Sequence, residues 1–273
     1  MSVLVFAGLA ILVVKREALR DGPLGQAAWL SLLAGFITGC AMGLKLPEMP
    51  FCAGFAAALL ALGGSWKHQG VRLLAGGLGG LAGAALFAAP WMVHVWHLTG
   101  NPLFPYFNDY WRSPLALAAP YRDLRFVPFF RPWWQQLLFP VLFTIDWHVA
   151  DDLGFQDIRV MLCYLLVIAG GVVWLLKRQS RDPLLDKRAT AVLFLFSALA
   201  YIAWLRMFAI YRYIILFEML APLLIIGAVG LLPLPRRSRY LTLAGLCAAC
   251  LLTARSDFLE RAPVEDPYVQ AAL

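Results

Sequence analysis

From Leu24 to Leu44 the chain carries no Asp, Glu, Lys or Arg, and the same is true of 73–96, 160–176 and 189–205. Uncharged runs of this length constrain the fold more than any other feature. About 17–20 apolar residues cross the hydrocarbon core of a bilayer as a helix, and a soluble domain has no interior that hides several such runs. Further apolar segments fall at 1–14, 50–63, 214–232 and 240–254. Those at 1–14, 50–63 and 240–254 are short for a span, which tilt or burial among neighbours accommodates. In lipid each segment must satisfy its own backbone groups, so all are expected to be helical. No period-two alternation supports a β-barrel. The expectation is an all-α integral membrane protein with about 8 transmembrane helices. Leu137–Ile145 is too short to cross and is expected to lie in the interface or to re-enter.

Charge orients the bundle. Lys15, Arg16 and Arg20 share one short connection, and Lys67 and Arg72 another. Lys177–Arg188 and Arg236–Arg239 hold the remaining basic clusters. In an eight-helix topology all four fall on one side, which the positive-inside rule makes cytoplasmic. The net charge of +7 is therefore spread over short juxtamembrane loops. That distribution argues against nucleic acid as a partner and for membrane lipid.

The whole chain reads as one polytopic domain. Helices fill 1–96 and 160–254, a large aromatic-rich extracytoplasmic loop spans 97–159, and 255–273 is a tail. No internal repeat is visible, which weakens a transporter reading. In Arg72–Ala85, Gly76, Gly80 and Ala84 share one helix face and Gly79 and Gly83 the next. Small residues at this spacing let helices approach closely in lipid. The five cysteines all sit in apolar segments and suggest no disulfide framework. The first apolar run precedes its basic cluster, the reverse of a signal peptide, and starts with almost no polar lead. The expectation is that the chain begins partway through a longer protein.

The outward stretches carry the chemistry. Six of the ten tryptophans lie between Trp91 and Trp147. Asn101, Asn108 and Arg112 stand among rings and prolines, with Arg122, Arg125 and Arg131 beyond them. Guanidinium groups fork phosphate oxygens, and flat rings cover the apolar face of a sugar. Asp146, His148, Asp151 and Asp152 crowd the far end of the loop, with Asp157 beyond. Carboxylate and imidazole there suit a divalent metal ion, with Asp151 and Asp152 as ligands, or a general base, with Asp146 and Asp152 as candidates. Glu218 lies inside an apolar run, where an ionisable group needs a partner. Lys45, Arg206 and Arg212 are the expected ones, and a substrate-binding role for Glu218, with His148, is the alternative. His94 and His97 are expected to be interfacial residues.

Three stretches, GNPLFPYFNDYWRSP followed by YRDLRFVP, GLKLPEMPF, and RYIILFEMLAPLL, resemble bacterial multispan membrane proteins of the GT-C class of glycosyltransferases. The resemblance runs over most of residues 24–232. It implies a bacterial cytoplasmic (inner) membrane and transfer of sugar from a polyprenyl-phosphate-linked donor on the extracytoplasmic side. Arg112 and Arg212 would hold the phosphate with help from Lys45. In that class the principal catalytic carboxylate lies in the first outward loop. Here the first charged cluster is basic and cytoplasmic, so the expectation is an incomplete or inactive member. The alternatives are a non-catalytic partner in polysaccharide or lipid-carrier assembly, and a transporter.

Overall fold

The computed structural model describes residues 1–119, 121, 125–127, 132–151 and 154–256. The chain is helical. Its long helices are α1 (Ser2–Val14), α3 (Leu24–Leu44), α4 (Met49–Ala61), α5 (Trp66–Thr99), α9 (Arg159–Leu175), α10 (Lys187–Met207), α11 (Ile215–Leu231) and α12 (Arg236–Thr253). Short helices α2 (Arg16–Asp21), α6 (Asn108–Trp111), α7 (Trp133–Leu137) and α8 (Phe139–Ile145) lie in the connections. Among the described residues, extended pairing is confined to Phe155–Gln156 against Arg255–Ser256, antiparallel. Among the described residues three helices, α3, α5 and α10, are long and apolar enough to cross a membrane.

The closest helix contact is backbone on backbone. A Cβ built on Gly35 would lie 2.1 Å from the Gly76 carbonyl oxygen, and one on Gly39 would lie 2.0 Å from that of Gly80. From the other side, Gly79 and Gly83 each meet a carbonyl oxygen, of Leu32 and Phe36, at 2.1 Å. The glycine stripe thus seats α3 against α5 with no side chains between them. Both helices ascend together, since Gly43 continues the series opposite Ala84. α4, which follows α3 in the chain, leads back through the Gly63–Gly64 turn to the start of α5; the φ values of +69° and +89° there suit residues without a Cβ.

The core forms where α4, α10 and α11 meet. Phe51 stacks on Phe196 at 6.3 Å and meets Phe217 edge-on at 5.5 Å. Gly54 lets α4 approach the Phe196 carbonyl of α10. At the C-terminal end of α10 Trp204 is fully buried beneath Phe139 and Phe143 of α8 and donates to the Ile210 carbonyl. The 137–145 segment is therefore the last residue of α7 followed by the short helix α8, which folds onto the last turn of α10.

The four basic clusters converge at one end of the bundle. Arg16 pairs with Asp186 at 2.9 Å, and Arg188 with Glu17 at 3.2 Å. Arg72, fully buried, donates to the carbonyls of Leu19 and Gly63. Arg239 donates to those of Asp182 and Gly230. Each cluster is tied to another by a guanidinium, and each buried guanidinium donates to one carbonyl in the last turn of a helix, Leu19 or Gly230, and one in a connection, Gly63 or Asp182.

Candidate functional site

At the opposite end, α9, α10 and α11 leave a cavity of about 580 Å³ between them. From Val160 down to Ile168 on α9 it runs about 12 Å at the helical rise. Its walls are mostly apolar, with Cys163, Leu205, Phe217 and Leu224 among them. The hydroxyls of Ser197 and Tyr201 are buried there without hydrogen-bond partners among the described residues. The rim is polar: Arg206 and Gln136 line it beside Trp133. Tyr164 donates to the Leu137 carbonyl at 2.7 Å and so pins α7 beside the opening. No carboxylate is among the cavity's described lining residues.

Beside Val160 and Phe217 in the chain stand Arg159 and Glu218. Arg159 grips the Asp157 carboxylate through its Nε and terminal nitrogen and reaches Glu218 at 2.9 Å. This corrects the expected partners of Glu218: Lys45, Arg206 and Arg212 are displaced by Arg159. An arginine at the first residue of an apolar helix, two residues after an aspartate, was the signal available in the sequence, because a charge there needs a partner. Tyr211 lies in the 3-10 turn that precedes α11. Burial pushes its phenol well above the ordinary range, and the nearby Glu218 and Asp157 charges push the same way. The cluster ties α9 to α11 and leaves both acids committed to Arg159.

Arg212 and Lys45 meet on one ring. The Lys45 ammonium lies 4.9 Å from the Tyr213 centroid and the Arg212 guanidinium 5.6 Å from it. Neither makes an ion pair among the described residues. Glu48, near Lys45, turns inward: burial raises its carboxyl pKa, and the Ser2 hydroxyl donates to it at 3.1 Å. Asp151 also turns inward, only 3% exposed, and accepts the Arg212 backbone N–H at 2.9 Å. Asp146 and His148 form an exposed pair at 3.0 Å, with the imidazole stacked on Trp147. Asp152 lies outside the described residues, as do Arg122 and Arg131. Among the described residues no group of three or more His, Cys, Asp or Glu side chains gathers to hold a metal ion.

The aromatic loop holds itself. Asn101 and Asn108 are fully buried. Asn101 donates to the Tyr106 carbonyl and accepts the Leu103 N–H. Asn108 donates to the carbonyls of Ser113, Ala116 and Leu117 and accepts the Ser113 N–H. Both amides are spent on the loop's own backbone. Arg112 is exposed at the end of α6, with φ of +53°. The structure does not group it with Arg212 and Lys45. α5 continues from Ala84 to Thr99 past the level of Gly43, about 22 Å along its own axis, before this loop begins.

No family model, curated protein or solved structure matches the chain.

Proposed function

We propose that this protein is a glycosyltransferase-like membrane protein that binds a polyprenyl-phosphate-linked sugar. Its distinguishing activity, in this reading, is holding the carrier. The observation that supports it most is the apolar cavity between α9, α10 and α11 with Arg206 on its rim. Apolar walls suit a prenyl tail, and a guanidinium at the membrane boundary suits its phosphate. Lys45 and Arg212, flanking Tyr213, extend the cationic surface toward the sugar, whose apolar face the ring would cover. Arg112 lies farther out and would meet the acceptor side. With α1, α4, α9, α11 and α12 packed alongside the three long helices, the proposal counts about 8 passes in a bacterial inner membrane, the basic end cytoplasmic.

The test is binding of a polyprenyl phosphate to the detergent-solubilised chain, followed by native mass spectrometry. Ala198→Phe should fill the cavity and exclude the tail. Arg206→Gln should weaken binding roughly tenfold, the loss expected for a charge-assisted contact. Unchanged binding in both variants, each still folded, would sink the assignment.

A catalytic reading rests on the Asp146–His148 pair, a carboxylate that orients an imidazole on the outward side. Sugar transfer by the purified chain that vanishes in His148→Ala would favour it. Absence of turnover with carrier binding intact favours the non-catalytic partner.

A further inference from the structure

At the basic end of the bundle a second cavity, about 310 Å³, opens between the two helix groups. Arg20 of α2 and Lys187 and Arg188 of α10 line it, together with Trp174, Leu62 and Ala191. Three cations on two distant elements therefore face one small volume with an apolar back wall. The neighbouring acids offset them only in part: Arg188 is paired with Glu17 and Arg20 loosely with Asp21. Asp186 is engaged with Arg16 and caps α10 through the N–H groups of Arg188 and Ala189. Glu17 takes Arg188 at 3.2 Å and Arg16 at 3.7 Å. Asp21 reaches Arg20 only at 3.7 Å, and the Arg20 Nε is buried without an acceptor among the described residues. Lys187 forms no ion pair among the described residues.

We infer that this cavity is a binding site for the phosphate headgroup of an anionic membrane lipid. A cationic pocket between helices, backed by Trp174 and Leu62, meets both parts of such a molecule: phosphate at the cations, glycerol and first methylenes against the apolar wall. The lipid would bridge α2 and α4 to α9 and α10, fastening together halves that otherwise meet here through exposed or half-exposed ion pairs.

The experiment uses the full chain in detergent, stripped of lipid. Phosphatidylglycerol, phosphatidylcholine and inorganic phosphate are added separately, with thermal midpoint and native mass spectrometry as readouts. Phosphatidylglycerol should bind and raise the midpoint, as any ligand of the folded state does. Phosphatidylcholine and inorganic phosphate should not. Lys187→Gln and Arg20→Gln should each weaken phosphatidylglycerol binding about tenfold. Lys187→Arg should retain it, which separates lost charge from a damaged helix start. Arg237→Gln, an equal charge change on exposed α12, should leave it unaltered. An equal loss in Arg237→Gln would mean diffuse attraction and overturn the site. Protection by inorganic phosphate as strong as by the lipid would assign the cavity to a soluble anion instead.

Discussion

A methyl group on Gly39 would have to share space with the Gly80 carbonyl oxygen, 2.0 Å from where its carbon must sit. Neither atom can rotate away, because both belong to helix backbone. Gly77, three residues from Gly80 on α5, meets nothing within 4 Å. Gly39→Ala should therefore force α3 and α5 apart, at a cost of about 1–3 kcal/mol typical of overpacking. Gly77→Ala should leave stability unchanged or slightly raised, since alanine is the better helix former. Thermal midpoints of the two variants in the same detergent test this directly; equal destabilisation would show that the helix pair does not depend on close backbone approach. The asymmetry between these glycines was only half legible in the sequence. Spacing put Gly76, Gly80 and Ala84 on one face, but which partner they meet depended on α3 being parallel to α5, the chain coming back through α4.

Among elements, α10 shows how a charged residue outside an apolar run decides where a helix starts. The uncharged run begins at Ala189, whereas α10 begins at Lys187 because the Asp186 carboxylate accepts the N–H groups of Arg188 and Ala189. Burial pushes the Asp186 carboxyl up, but those N–H groups and the Arg16 guanidinium outweigh it and hold the pKa below the ordinary carboxylate range. The folded value thus lies below the unfolded one, about 3.9. The stabilisation is complete above that unfolded value and is lost as pH falls through the folded one. Wild-type thermal midpoints should drop below about pH 4, and Asp186→Asn should be less stable at pH 7 and show a shallower acid decline. An acid profile identical in the two proteins would remove Asp186 from the account. The same blindness to capping hid the first turn of α5, and charge hid that of α12. Ser65 accepts the His68 N–H and lets α5 begin at Trp66, while Arg236–Arg239 are helical despite their charge. Apolar periodicity finds the middle of a membrane helix; hydrogen bonds set its ends. The Arg159–Glu218 pair joins residues 59 apart in the chain, and the apolar cavity has walls from α9, α10 and α11, so neither follows from local pattern.

For the whole molecule, the basic clusters at one end and the aromatic loop beyond the other give a testable orientation. In a background without native cysteines, Arg178→Cys should resist an impermeant thiol reagent in intact cells, and Asp109→Cys should react. Both positions are exposed, so burial does not confound the result. Labelling at 178 and protection at 109 would invert the bundle. The great length of α5, 34 residues or about 51 Å, then acquires a meaning. α3 stops near the level of Ala84, and α5 carries on beside Lys45 with Trp91 and Trp96 exposed along it. The end of the bundle opposite the basic clusters is therefore stepped: a low ledge bearing Lys45, Tyr213 and Arg212, and a tall post beside it. If the proposed carrier binds, it would reach the ledge sideways from α9 and α10, which line the apolar cavity.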